Sequence, residues 1–108
     1  MASNVRFTIG ARNDLRSFHA YIAEYDSREK ADYVAREIVR AALTLIELPQ
    51  RGACPPELAS LGNRTYRQIF FKPYRILYRV RGTTVYIAVI ADGRRDMASL
   101  LLRRLHEA

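Results

Sequence analysis

Polar and apolar positions change period several times along the chain, and each change marks an element. Val5, Phe7 and Ile9 alternate with Arg6 and Thr8. That period of two predicts a strand, closed by Gly10. Leu15, Phe18, Ile22 and Tyr25 then recur at helical spacing and predict a helix over about residues 11–25. Asp26, with Glu29 three positions later, fits a capping box for a second helix. Ala31, Val34, Ile38, Ala42 and Leu45 form its apolar stripe, and Pro49 ends it. So short a turn between the two makes them an antiparallel hairpin.

Residues 49–63 contain Pro49, Gly52, Pro55, Pro56 and Gly62 and read as a loop, with Leu58 and Leu61 expected to pin it to the core. Three β-type runs come next: Thr65–Phe71, Tyr74–Arg81 and Thr84–Ala91. Only Lys72-Pro73 and Gly82-Thr83 separate them. Such tight connections predict an antiparallel meander. Asp96 is placed to cap a final helix through Met97, Leu100, Leu101 and Leu105. These apolar residues suit a core-facing stripe and equally a partner-binding element. The expectation is one α+β domain over residues 1–108, in the order β-α-α-β-β-β-α. An N-terminal strand precedes a two-helix hairpin packed on an antiparallel meander, and a short C-terminal helix completes the chain.

In the middle run the faces separate. Tyr74, Ile76, Tyr78 and Val80 are expected on the hairpin; Arg75, Leu77, Arg79 and Arg81 are expected on a basic, largely open face. Arg67 shares parity with Ile69 and Phe71, so its direction depends on a register that the sequence leaves open.

Charge changes this picture more than composition does. The net charge is +7. Residues 1–57 hold eight Lys/Arg and eight Asp/Glu, whereas residues 58–108 hold ten basic residues against Asp92, Asp96 and Glu107. The excess therefore lies in the C-terminal half, which suits a polyanion or an acidic protein segment; a basic surface serving only solubility is the competing reading. The arginines also have structural alternatives, since sheet-face arginines pair with carboxylates or stack on aromatic rings. Cys54 is the only cysteine, which excludes an internal disulfide and a multi-cysteine zinc site. No metal or cofactor is expected. No apolar run approaches the roughly 20 residues that span a bilayer, and Met-Ala-Ser-Asn-Val-Arg carries no apolar signal segment. A cytoplasmic protein with no membrane partner is expected.

Four segments, taken in order, resemble a known family. They are Leu45-Ile46-Glu47-Leu48-Pro49-Gln50-Arg51-Gly52 with Pro56-Glu57-Leu58; Tyr66-Arg67-Gln68-Ile69; Pro73-Tyr74-Arg75-Ile76-Leu77-Tyr78-Arg79-Val80; and Ile87 through Gly93-Arg94-Arg95-Asp96. Their order and spacing are similar to the RelE/ParE toxins, closer to the ParE-like branch, over nearly the whole chain. The resemblance implies the toxin of a type II toxin–antitoxin system. Its partner would be a cognate antitoxin, ParD-like or another small DNA-binding protein, in a hetero-oligomer.

RelE-like members cut mRNA in the ribosome, which requires cations on the scissile phosphate and groups that move protons. ParE-like members bind DNA gyrase and trap it on DNA. Matched position by position, the nuclease cations fall on Arg67, Arg75 and Arg95, but a further basic position falls on Ile69 and the C-terminal tyrosine falls on Leu101. A leucine cannot move a proton. His19 and His106 match no catalytic position. The resemblance therefore implies inhibition of DNA gyrase by binding, with a ribosome-dependent mRNA endonuclease using Arg67, Arg75 and Arg95 as the alternative. Arg75, Arg79, Arg94, Arg95, Arg103 and Arg104 are the candidate target contacts. Tyr21, Tyr25, Leu77, Met97 and Leu101 are the candidate antitoxin contacts.

Overall fold

The structure, a computed structural model, describes residues 1–106, with the backbone alone at His106. The elements are β1 (Asn4–Phe7), α1 (Ile9–Tyr25), α2 (Arg28–Leu43), a 3-10 turn (Thr44–Ile46), α3 (Pro56–Ala59), β2 (Arg67–Phe71), β3 (Tyr74–Arg81), β4 (Thr84–Asp92) and α4 (Met97–His106). The expected order is present, with two short helical turns added in the proline-rich segment and before it.

Local capping sets the boundaries. The Thr8 hydroxyl accepts from the Ala11 amide at 3.1 Å, so α1 starts at Ile9. Ile9 and Gly10 belong to the helix and not to the strand that alternation predicts. Ser27, not Asp26, caps α2, accepting from the Lys30 amide at 3.0 Å. Asp26 instead closes α1, its amide bonded to the Ile22 carbonyl. In the loop, α3 turns Leu58 into the core and leaves Leu61 exposed. The Asn63 and Gly62 amides close α3 on Leu58 and Ala59, and that reversal carries Leu61 outward.

The sheet order is β1-β4-β3-β2. β2, β3 and β4 form the predicted meander, while β1 adds to β4 in parallel. The α1/α2 hairpin covers one face. Ile76, Tyr78, Val85, Ile87 and Ile90 meet Val34, Ile38 and Leu45 there. The opposite face is not the open basic surface the sequence suggests. Leu77, Val89 and Ala91 lie beneath Leu58 of α3 and Met97, Leu100 and Leu101 of α4. Burying each leucine contributes about 1.5–3 kcal/mol, so α4 is part of the fold.

A register shift between Leu77 and Tyr78 makes Leu77 face Val89 and Tyr78 face Ile87, leaving Ala88 unpaired in β4. A bulge of this kind bends its strand and re-aims the side chains beyond it. Here it divides the second face. The Arg75–Leu77 end is covered by α3 and α4, and the Arg79–Arg81 end emerges from under them.

Candidate functional site

The register settles where the arginines point. Arg67 pairs with Tyr78 and lies on the hairpin side, whereas Arg75 pairs with Phe70 and Gln68 with Leu77 on the opposite side. Arg67 donates to the Gln50 and Gly52 carbonyls at 3.1 and 2.6 Å. Tyr78, fully buried, donates to the Pro49 carbonyl and accepts from the Gly52 amide. A Cβ at Gly52 would sit 2.6 Å from the Gln68 carbonyl oxygen. This corner holds the proline-rich loop to the sheet edge.

Arg75 is buried. Its guanidinium donates to both Glu57 oxygens, at 2.8 and 2.7 Å, and its Nε donates to Gln68 Oε1 at 2.7 Å. The hydrogen bonds from Arg75 hold the Glu57 carboxyl below its ordinary pKa, against a smaller opposing effect of burial. The two bonds to Glu57 tie α3 to β3, and the Nε bond to Gln68 adds β2 to the same guanidinium. Arg95 is exposed and lines a different surface, with Phe18, Tyr21 and Tyr74 on the hairpin side. The three cations matched to a nuclease centre therefore do not converge.

Arg94 folds back on Asp92 with two side-chain bonds of 2.9 and 2.6 Å. Those bonds hold the Asp92 carboxyl below its ordinary pKa. Arg104 pairs with Asp14. Arg103 is exposed on α4. The six arginines expected to form one target surface thus divide: Arg75 is interior, Arg79 and Arg104 are half-buried along one cleft, and Arg94, Arg95 and Arg103 are exposed.

The antitoxin contacts expected from the resemblance also divide. Tyr21 and Tyr25 are 64% and 70% exposed, and their rings lie 4.8 Å apart. They border a groove with Tyr33, Phe71 and Tyr74, flanked by Lys30 and Lys72. Phe18 meets Tyr74 edge-on at 4.9 Å. Burial, with the nearby Asp92 charge, raises the Tyr74 phenol above its usual pKa. Leu77, Met97 and Leu101, by contrast, are buried in the second core and present no surface to a partner. The apolar stripe that made them candidates is the stripe that packs α4 on the sheet.

A second cleft, which sequence reasoning did not assemble, opens where β3 and β4 leave the cover of α4. Thr8, which caps α1, with Ile9 and Gly10 of its first turn, and Tyr66, Arg79, Arg81, Tyr86, Ala88, Arg104 and Leu105 line it. Arg79 and Tyr86 are cross-strand neighbours, and the Arg79 guanidinium lies 5.8 Å from the Tyr66 ring centre. Strand parity places Arg79 and Arg81 on one side, but nothing local signals that Tyr66 and the first turn of α1 close the same cleft. His19 bridges the helices through Asp32 at 2.7 Å; the His106 side chain lies outside the described residues. No helix of the described residues is long and apolar enough to cross a membrane, and they contain no cluster of three potential metal ligands.

A family model described as the ParE toxin of the type II toxin–antitoxin system parDE matches residues 5–97 of this chain. Among solved structures, the chain is similar to one titled "Chromosomal ParDE TA system from P. aeruginosa". The two share 22% identity over 82% of this chain and 94% of that one, with a TM-score of 0.69. At that identity the likeness is one of fold. No curated protein matches the chain.

Proposed function

The chain belongs to the ParE toxin family of type II toxin–antitoxin systems, and on that premise we propose that it inhibits DNA gyrase by binding and is held silent by a ParD-like antitoxin. One observation carries the choice of binding over cleavage. Leu101, matched to the proton-transferring tyrosine of the ribosomal nucleases, is fully buried against Leu77 and Val89. It has neither a titratable atom nor access to a substrate. Asp92, the polar group nearest that end of β4, is bound to Arg94 with a depressed pKa, whereas an effective general base titrates near neutrality.

In this reading the exposed cations Arg94, Arg95 and Arg103 contact the target, and the aromatic strip around Tyr21 and Tyr25 is an antitoxin surface. Exposed aromatic side chains of this kind are frequent anchors in protein interfaces. The direct test uses purified toxin with purified gyrase. Supercoiling should fall and cleaved DNA–gyrase complexes should accumulate, while cellular mRNA shows no early codon-linked cuts. Rapid ribosome-dependent mRNA cleavage with normal supercoiling would reverse the assignment.

A further inference from the structure

Gyrase inhibition through the exposed cations leaves Arg79 without a role. Its Nε is buried and has no hydrogen-bond partner among the described residues. A guanidinium N–H deprived of both water and an acceptor is destabilising. Neither Arg79 nor the exposed Arg81 has a carboxylate partner among those residues. Both line the same cleft of about 680 Å³. The third guanidinium there, Arg104, is already neutralised by Asp14. Among the described residues the cleft thus holds two cations without a carboxylate partner at the β3–β4 turn end. Apolar side chains line it too: Ala88, Leu105 and Ile9, which is 76% exposed although it is a large aliphatic residue.

We infer that this cleft receives an acidic, amphipathic segment of the antitoxin, whose carboxylates reach Arg79 and Arg81 while its apolar side chains lie on Ile9, Ala88 and Leu105. This rests on the toxin–antitoxin reading and gives that partner a second contact, apart from the aromatic strip. Nε itself is closed to a partner, but a carboxylate in the cleft can accept from the outer nitrogens of the same guanidinium, and a charge-assisted bond of that kind is about twice as strong as a neutral one. A single nucleic-acid strand fits less well. Strand-binding grooves combine a track of cations with open aromatic faces. Among the described residues only two guanidiniums here lack a carboxylate, and of the two aromatic rings Tyr66, beneath Arg79, is buried and Tyr86 is half-buried.

The experiment uses the full chain and the antitoxin encoded in the adjacent reading frame, with affinity measured in about 0.15 M salt. Arg79→Gln combined with Arg81→Gln should weaken binding at least about tenfold, chiefly through faster dissociation. Ile9→Glu, on a side chain with little to lose in folding, should do the same. Arg36→Gln, on an exposed part of α2, should leave affinity within about twofold, as expected for a charge outside the interface. Melting temperatures should stay within about 4 °C of wild type for Ile9→Glu and Arg36→Gln, as for surface changes, and the double arginine variant, whose Arg79 is partly buried, should keep a single cooperative transition. Unchanged affinity in both cleft variants overturns the inference and leaves the toxin assignment standing. A wild-type chain that binds no antitoxin overturns both. Arginine-dependent binding of oligothymidylate, with antitoxin affinity unchanged, assigns the cleft to nucleic acid instead.

Discussion

Arg104 and Asp14, ninety residues apart in the chain, form a two-bonded ion pair of 2.8 and 3.1 Å that fastens α4 to α1. Asp14 does more than neutralise it. β1 ends at Phe7, so β4 continues past its parallel neighbour, and the Asp14 carboxylate accepts from the Ile90 amide at 2.9 Å. Arg104 in turn donates to the carbonyl of the bulged Ala88 at 3.2 Å. The carboxylate and the guanidinium, with the Thr8 hydroxyl on the same Ala88 carbonyl, therefore satisfy two backbone groups of β4 beyond the end of β1.

Removing either partner should cost more than a surface salt bridge does. Both side chains are mostly buried, at 23% and 17% exposure. Asp14→Ala strands a cation and the Ile90 N–H together, and a loss of about 2–3 kcal/mol is expected. For a domain of this size that is a fall of roughly 10–20 °C in melting temperature. Thermal unfolding of both single variants and the double variant measures the coupling. A double variant no more stable than the sum of the singles predicts would show that the pair is not a latch.

Gly10 tests the same contact from the other side. Replacing glycine by alanine within a helix ordinarily stabilises by about 0.5–1 kcal/mol in the interior, and a smaller gain is expected at Gly10 in the first turn of α1. Here a Cβ would stand 2.6 Å from Arg104 Nη2, so the guanidinium must move off its partner. Gly10→Ala should give no gain in the wild-type background and that smaller gain in Arg104→Ala. Equal stabilisation in the two backgrounds would mean that Arg104 shifts without losing Asp14.

The Glu57–Arg75 pair has a pH signature. Its folded-state carboxyl titrates below the ordinary value near 4.5, chiefly because Arg75 donates to it. A depressed folded pKa contributes stability that is fully present above the unfolded value and lost as pH falls through the folded one. Wild type should therefore exceed Glu57→Gln in stability at neutral pH, and the difference should shrink only below about pH 4.5. Other carboxylates, Asp92 among them, titrate in the same range, so the difference between the two denaturation curves is the measurement. A difference that is constant down to pH 2 would dissociate this carboxylate from the stability of α3.

These residues also show where sequence is readable. β3 has the expected boundaries because its alternation is sharp and Lys72-Pro73 and Gly82-Thr83 punctuate it. Asp96 caps α4 as expected, accepting from the Ser99 amide. Thr8 reads as a strand residue because a hydroxyl can occupy a strand or cap a helix, and only the Ala11 amide decides. The parallel pairing of β1 depends on a partner about eighty residues away, for which four alternating residues carry no signal. The candidate arginines are recognisable as a basic half of the chain. Which of them are free is not, because Asp14 and Glu57 lie far away in sequence on other elements.

The C-terminal helix carries both a packing role and a candidate docking role. Its apolar stripe alone fits a docking helix or a core helix equally well. In the structure Met97, Leu100 and Leu101 are buried over Leu77, Val89 and Ala91. Three such side chains contribute about 5–9 kcal/mol, comparable with the whole stability of a typical domain. A chain truncated before Met97 should consequently lose its cooperative unfolding transition, and toxicity and antitoxin binding should vanish together. Truncation therefore cannot reveal whether the helix also touches a target. Point changes on its two faces can. Leu101→Ala should cost about 2–5 kcal/mol. Leu102→Glu and Arg103→Gln, both on the exposed face, should leave the melting temperature nearly unchanged and lower gyrase inhibition if that face meets the target. A truncated protein that melts within a few degrees of wild type would overturn the core role of α4. Outer-face variants with full toxicity would remove Arg103 from the proposed target surface.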